Sequence, residues 1–126
     1  MSVRLYQVAV DALAPAALAS FWAGVLGYRV LVAGDDEVVI GADEHSYPGM
    51  VFLPVPERKA RKNRLHLDLV PDGATAADQE AEVERILALG AVRIDVGQPA
   101  GAGWTVLADP EGNEFCVLAP KRSLAG

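Results

Sequence analysis

The stretch ADPEGNEFCVL, residues 108–118, decides how this chain is read. In DPEG (109–112) an Asp stands first, a Pro second and a Gly fourth, the pattern of a type I turn. The turn predicts a hairpin between strands at 103–108 and 113–118. Alternation then puts Glu114, Cys116 and Leu118 on one face and Phe115 and Val117 on the other, with Phe115 and Val117 as the core pair. Cys116 is the only cysteine, so an internal disulfide and a cysteine-based zinc cage are excluded.

Upstream of the hairpin, RLHLDLV (64–70) alternates, with Leu65, Leu67 and Leu69 on one face and His66 and Asp68 on the other. A helix follows, with Thr75 as its candidate N-cap and Asp78 three residues on. Val83, Ile86 and Leu87 form its buried stripe, and Gly90 ends it. A further strand is expected at AVRIDV (91–96).

The same order stands in the first half. LYQVAVD (5–11) alternates, with Gln7, Ala9 and Asp11 opposite Tyr6, Val8 and Val10. A helix from Pro15, where the missing N–H costs nothing, carries an apolar stripe of Leu18, Phe21, Trp22, Val25 and Leu26. Gly27 is its left-handed stop. Strands follow at 28–33, 37–42 and 49–55, with Pro54 and Pro56 marking the end of the last or an edge position.

The helix exits VLGYRV (25–30) and ALGAVRI (88–94) resemble each other, and the opening strands align Gln7 with His66. The chain therefore reads as one domain of two βαβββ modules, about 1–56 and 64–120, joined by a basic connector at 57–63. The fold class is α+β, with mixed, curved sheets around a shared cleft. The segment 57–64 holds five of the eleven basic residues. It reads as a solvated connector or as an anion-steering patch.

With 126 residues the chain suits one domain that buries roughly two-thirds of its unfolded surface. A net charge of −6 disfavours nucleic acid as a partner. No apolar run reaches the about 18 residues of a membrane helix, and residues 1–25 lack a signal-peptide pattern. A cytoplasmic protein with no membrane partner is expected. Phosphate-binding glycine loops, a nucleophile elbow and the H-E-x-x-H zinc motif are all absent from the sequence.

A doubled strand–helix–three-strand unit ending in DPEGNEF resembles the vicinal oxygen chelate superfamily. FWAGVLGYRV (21–30), RLHLDL (64–69) and DPEGNEFCVL (109–118) are similar to its glyoxalase-like, bleomycin-resistance-like branch. The resemblance implies the fold. Its members include lyases, isomerases, dioxygenases and binders without catalysis, so it leaves the activity open. In the metal-using members, the first and fifth strands offer His or Gln, and the fourth and eighth offer Glu or His. By position this chain gives Gln7, His66, Phe52 or Leu53, and Cys116.

Both carboxylate positions are thus lost, and no metal or other cofactor is expected. Cys116 reads as a small buried hydrophobe, or as a soft third ligand beside Gln7 and His66. His66 is a hydrogen-bonded histidine, a ligand contact, a general base or a metal ligand, and it is the one candidate catalytic residue. Asp68, two residues along a strand, is too far for a direct bond to His66 and is expected to pair with Arg64 or orient a ligand. Trp22 belongs to the core, whereas Trp104 is either a cavity-lining residue or a packing one.

The expected function is binding of a small, partly apolar molecule by Gln7, His66, Asp68, Trp104 and Cys116. The alternative is a lyase, isomerase or dioxygenase-like enzyme using His66 as general base or metal ligand. A filled interaction module is a third reading. A homodimer is expected, because the superfamily builds clefts within a chain or across a dimer and because GMVFLPV (49–55) is too apolar for a bare edge.

Overall fold

A computed structural model describes residues 2–126. The chain divides into two units, residues 1–58 and 59–126. Each holds one four-stranded mixed sheet and one long helix, which makes the fold α+β.

In the first unit β1 (Gln7–Ala12) leads to α1 (Pro15–Leu26), then to β2 (Arg29–Ala33), β3 (Val38–Gly41) and β4 (Gly49–Pro54). The sheet order is β1-β4-β3-β2. The β1–β4 pair is parallel and the other two pairs are antiparallel. Because β4 is paired on both sides, it is a central strand. Its apolar composition reflects that place and gives no reason to expect a partner there.

The helix α1 begins with Pro15 in its first turn and no side-chain cap on Ala14. Gly27, at φ 67°, supplies the left-handed stop, where a Cβ would be strained. With no cap and few charges, burial holds this helix: Leu18, Ala19, Phe21, Trp22 and Val25 are all buried. Phe21 and Trp22 meet edge to face, with ring centroids 5.4 Å apart. The helix packs on β3 and β4, whose Ile40 and Phe52 are fully buried.

In the second unit β5 (Asp68–Leu69) precedes α2 (Ala76–Leu89), β6 (Val92–Arg93), β7 (Trp104–Ala108) and β8 (Glu114–Leu118). The order β5-β8-β7-β6 repeats that of the first unit, again with one parallel pair and two antiparallel ones. Thr75 caps α2 through a complete capping box with Asp78. Val83 and Ile86 are its buried residues. Gln79 ties the start of the helix to the sheet, donating to the carbonyls of Gly103 and Val117 at 3.1 and 3.2 Å.

The hairpin forms as the sequence predicts. The Gly112 N–H donates to the Asp109 carbonyl at 2.9 Å, and Gly112 sits at φ 88°. The Asp109 carboxylate accepts from the backbone N–H groups of Glu111 and Asn113 and from the Asn113 amide. Phe115 and Val117 are each only 1% exposed, as a core pair should be.

Two strands are much shorter than the alternation predicts. The fifth, expected over 64–70, is regular only at Asp68–Leu69, and Leu65 is 90% exposed instead of buried. The sixth, expected over 91–96, is regular only at Val92–Arg93. Beyond it, side chains capture the backbone. Asp95 accepts from the Gly97 N–H at 2.7 Å, and Gln98 accepts from the Val96 N–H at 2.9 Å, so local turns replace the ladder.

Candidate functional site on the second sheet

The register of the second sheet sets the site. Asp68 on β5 pairs with Cys116 on β8, and Cys116 pairs in turn with Val106 on β7. The Cys116 N–H donates to the Leu67 carbonyl at 2.9 Å, which fixes the height of β8 against β5. Residues paired across strands project from the same face, so Asp68 and Cys116 stand side by side.

His66 joins them because the chain before Asp68 is not a strand. On a regular strand, residues two apart lie about 6.6 Å from each other along the axis. Here the His66 Nδ1 is 3.5 Å from an Asp68 carboxylate oxygen. This corrects the expectation that spacing keeps the two apart. Asp68 meets His66, and among the described residues it forms no ion pair with Arg64. One donor atom each from His66, Asp68 and Cys116 lie within 4.8 Å of one another.

The three side chains differ in exposure. Those of His66 and Asp68 are 43% and 48% exposed, while Cys116 is buried. Burial pushes the Cys116 thiol above its ordinary pKa. The Asp68 charge adds to this, as does the hydrogen bond Asp68 accepts from the thiol, and Lys62 opposes it. Cys116 is therefore a protonated thiol at neutral pH and a poor nucleophile.

Below this cluster the basic connector is pinned to the sheet. Glu114, 8% exposed, accepts from the Asn63 N–H at 2.8 Å and meets the Lys59 ammonium at 2.8 Å. Burial raises the carboxyl's pKa, but the Asn63 N–H and Lys59 outweigh it and hold Glu114 below its ordinary value. At its Lys59 and Asn63 ends, then, the connector is anchored. Sequence reasoning missed this clamp. Its one local signal was a Glu on the Cys116 face in a chain with a basic segment upstream.

Trp104 is 39% exposed and lines a hollow of about 280 Å³ with Arg93, Gln98 and Thr105. That hollow includes none of His66, Asp68 and Cys116. Trp22 lies in the core, 3% exposed.

In the first unit, Gln7 is half-buried and pairs with Gly49. Its face of the sheet continues through Ala9 and Asp11 to Val51 and Leu53. Leu53 is thus the fourth-strand residue that shares a face with Gln7, while Phe52 points into the core. A hollow of about 400 Å³ lies among Arg29, Asp43, Glu44 and His45. It is larger than the one beside Trp104, but its Asp43 is engaged by the His45 N–H and the Ser46 hydroxyl. These bonds hold the Asp43 carboxyl below its ordinary pKa.

Two sheets of identical strand order, each entered by a parallel first strand and backed by one helix, define a duplicated βαβββ protein of the vicinal oxygen chelate type. The sequence profile of the glyoxalase-like domain matches residues 7–118, and the chain belongs to that family. Among curated proteins, none matches the sequence. Among solved structures, the chain is similar to a glyoxalase/bleomycin resistance protein/dioxygenase family enzyme from Burkholderia phytofirmans PsJN. The identity is 18% over 94% of this chain and 100% of that one, with a TM-score of 0.71.

It is also similar to the fosfomycin resistance protein FosX of Mesorhizobium loti, at 15% identity over 99% and 96% of the two chains and a TM-score of 0.72. A mutant of FosX from Listeria monocytogenes, complexed with Mn(II) and a dihydroxypropylphosphonic acid, matches at 14% identity over 96% and 93%, with a TM-score of 0.71. At these identities the likeness establishes the fold and not the chemistry.

The family implies a divalent metal in some members, and the donors here test that. A hard cation wants several oxygen ligands, carboxylates above all. The eighth strand presents a thiol at Cys116, and the fourth presents Leu53 on the face of Gln7. These residues do not fit a hard-cation centre.

Proposed function

We propose that the second sheet binds a small, partly apolar molecule against its β5–β8 face. His66 is the polar contact, and the Cys116 side of the sheet is the wall. The observation that supports this is the half-exposed His66 ring held 3.5 Å from Asp68 beside a buried thiol. A carboxylate at Nδ1 favours the tautomer whose Nε2 is a free acceptor, so the ring can take a hydrogen bond from a ligand. Trp104 is the further contact on this sheet suggested by the sequence. A cytoplasmic setting, in which the single thiol stays reduced, belongs to the same proposal.

The His66–Asp68 contact favours a second reading, that of a lyase, isomerase or dioxygenase-like enzyme. A carboxylate behind an imidazole holds the ring in one orientation and one tautomer, which is what a general base needs.

Native mass spectrometry of freshly purified protein tests the first reading. A co-purified small molecule that is lost in His66→Ala is expected, and its absence in both proteins counts against binding. Turnover that survives His66→Ala would remove His66 as its general base, and absence of turnover in the wild type would count against the enzyme reading. A two-fold dimer is also proposed. Strand β2 is an edge of its sheet, with Val30 and Val32 51% and 46% exposed, and such an edge gains from being covered. Sedimentation at micromolar concentration should give a dimer, and a monomer alone would contradict it.

A further inference from the structure

We infer that His66, Asp68 and Cys116 form a binding site for a single thiophilic divalent cation of the zinc class, held by the second module alone. The inference concerns the same face as the ligand-binding reading but does not depend on that small molecule. Its basis is the meeting of three different donors, an imidazole nitrogen, a carboxylate oxygen and a sulfur, within 4.8 Å of one another.

The donor set selects the ion. A sulfur ligand is soft and favours zinc-class ions over magnesium, calcium or manganese. Zinc accepts nitrogen, oxygen and sulfur ligands together, in tetrahedral geometry. Once the thiol proton has left to solvent, thiolate and carboxylate carry two negative charges, which offset a divalent ion without a further carboxylate. Zinc–ligand bonds of about 2.0–2.3 Å require donor atoms closer together than this cluster spans at its widest. His66 and Asp68, each about half exposed, are the two with freedom to close in.

Backbone pairing fixes the other side. Asp68 and Cys116 are cross-strand partners, and the Cys116 N–H is bonded to the Leu67 carbonyl, so two of the three donors sit on a rigid ladder. Three protein ligands leave the fourth position of a tetrahedron free. The exposure of His66 and Asp68 directs that position to solvent, where a water or a ligand heteroatom can occupy it. Asp68 is the residue that makes the difference. The loss of both expected carboxylate positions argues against a hard ion, but it leaves open a soft site whose carboxylate comes from β5.

Calorimetric titration of chelator-stripped, dialysed full-length protein with zinc chloride tests this, with magnesium chloride as the comparison. Uptake of a single zinc per chain and no heat with magnesium are expected. Cobalt(II) should give a thiolate-to-cobalt charge-transfer band. Cys116→Ala and Asp68→Asn should each lose the zinc uptake, and Gln7→Ala should keep it, with circular dichroism confirming that each variant is folded. Folded wild-type protein that takes no zinc overturns the inference. So does uptake that survives Cys116→Ala or Asp68→Asn, and so does uptake lost in Gln7→Ala. Zinc uptake by a protein that retains no small molecule supports this inference and removes the ligand-binding reading. A retained small molecule without zinc uptake does the reverse.

Discussion

The two modules share a strand order and differ in how their first strands are made. In the first, β1 pairs with β4 over six consecutive positions, from Gln7↔Gly49 to Ala12↔Pro54. In the second, β5 pairs with β8 over only two. The long ladder spaces its polar residues along the strand, so Gln7 and Asp11 stay apart on one face. The short ladder leaves the approach to Asp68 free, and His66 turns back onto its neighbour. Regular pairing makes a scaffold, and its early end makes a cluster. The helices differ in the same sense. Five buried apolar residues hold α1, while α2 relies on a capping box and two.

This contrast is easiest to break at the helices. Phe21→Ala removes a ring that is 5% exposed and stacked edge-to-face on Trp22, and it should cost about 3–5 kcal/mol. Thr75→Ala removes the α2 cap, which donates to and accepts from Asp78, and should cost about 1 kcal/mol. Chemical denaturation of both variants gives the comparison. If the cap mutant loses as much as the core mutant, α1 and α2 are not held by different means.

Between these two effects stands the Glu114 clamp. Glu114→Gln keeps the shape but loses the charge that meets Lys59 and strengthens the Asn63 bond, and about 1–3 kcal/mol should go at neutral pH. The pH dependence has a definite sign. The folded-state pKa of Glu114 lies below its ordinary 4.5. Its stabilising contribution is therefore complete above that ordinary value and is lost as pH falls through the lower, folded one. Thermal midpoints measured from about pH 5 down to pH 3 should fall more steeply for the wild type than for Glu114→Gln. Parallel curves would show that the clamp carries no charge-dependent stability.

Much of the first module was legible because its signals are local. The bounds of α1 follow from Pro15, the apolar stripe and Gly27, all within a few residues of the helix ends they set. The hairpin follows from four consecutive residues. The short β5 was not legible, because what holds the chain at its entrance comes from 51 residues away, where the Glu114 carboxylate takes the Asn63 N–H. Alternation at Leu65, Leu67 and Leu69 reports a strand-like pattern, and Leu65 satisfies the pattern while standing in solvent. The His66–Asp68 contact was hidden for the same reason. A spacing of two residues implies separation only if a ladder holds the chain extended. Cys116 was legible as a buried residue, but its neighbours were not.

The smallest stability effect is expected at the site itself, and it separates what holds the fold from what the fold presents. His66→Ala removes a half-exposed ring whose carboxylate partner, Asp68, is equally exposed, and exposed contacts of that kind contribute about 0–1 kcal/mol. The ring stands outside the regular strand, which begins at Asp68, and it is not among the buried core residues. The denaturation midpoint should therefore stay close to the wild type, while the co-purified small molecule and the zinc uptake are both lost. A large loss of stability instead would mean that the imidazole closes the short ladder as a structural plug. The second module would then owe its irregular entry to packing and not to a site.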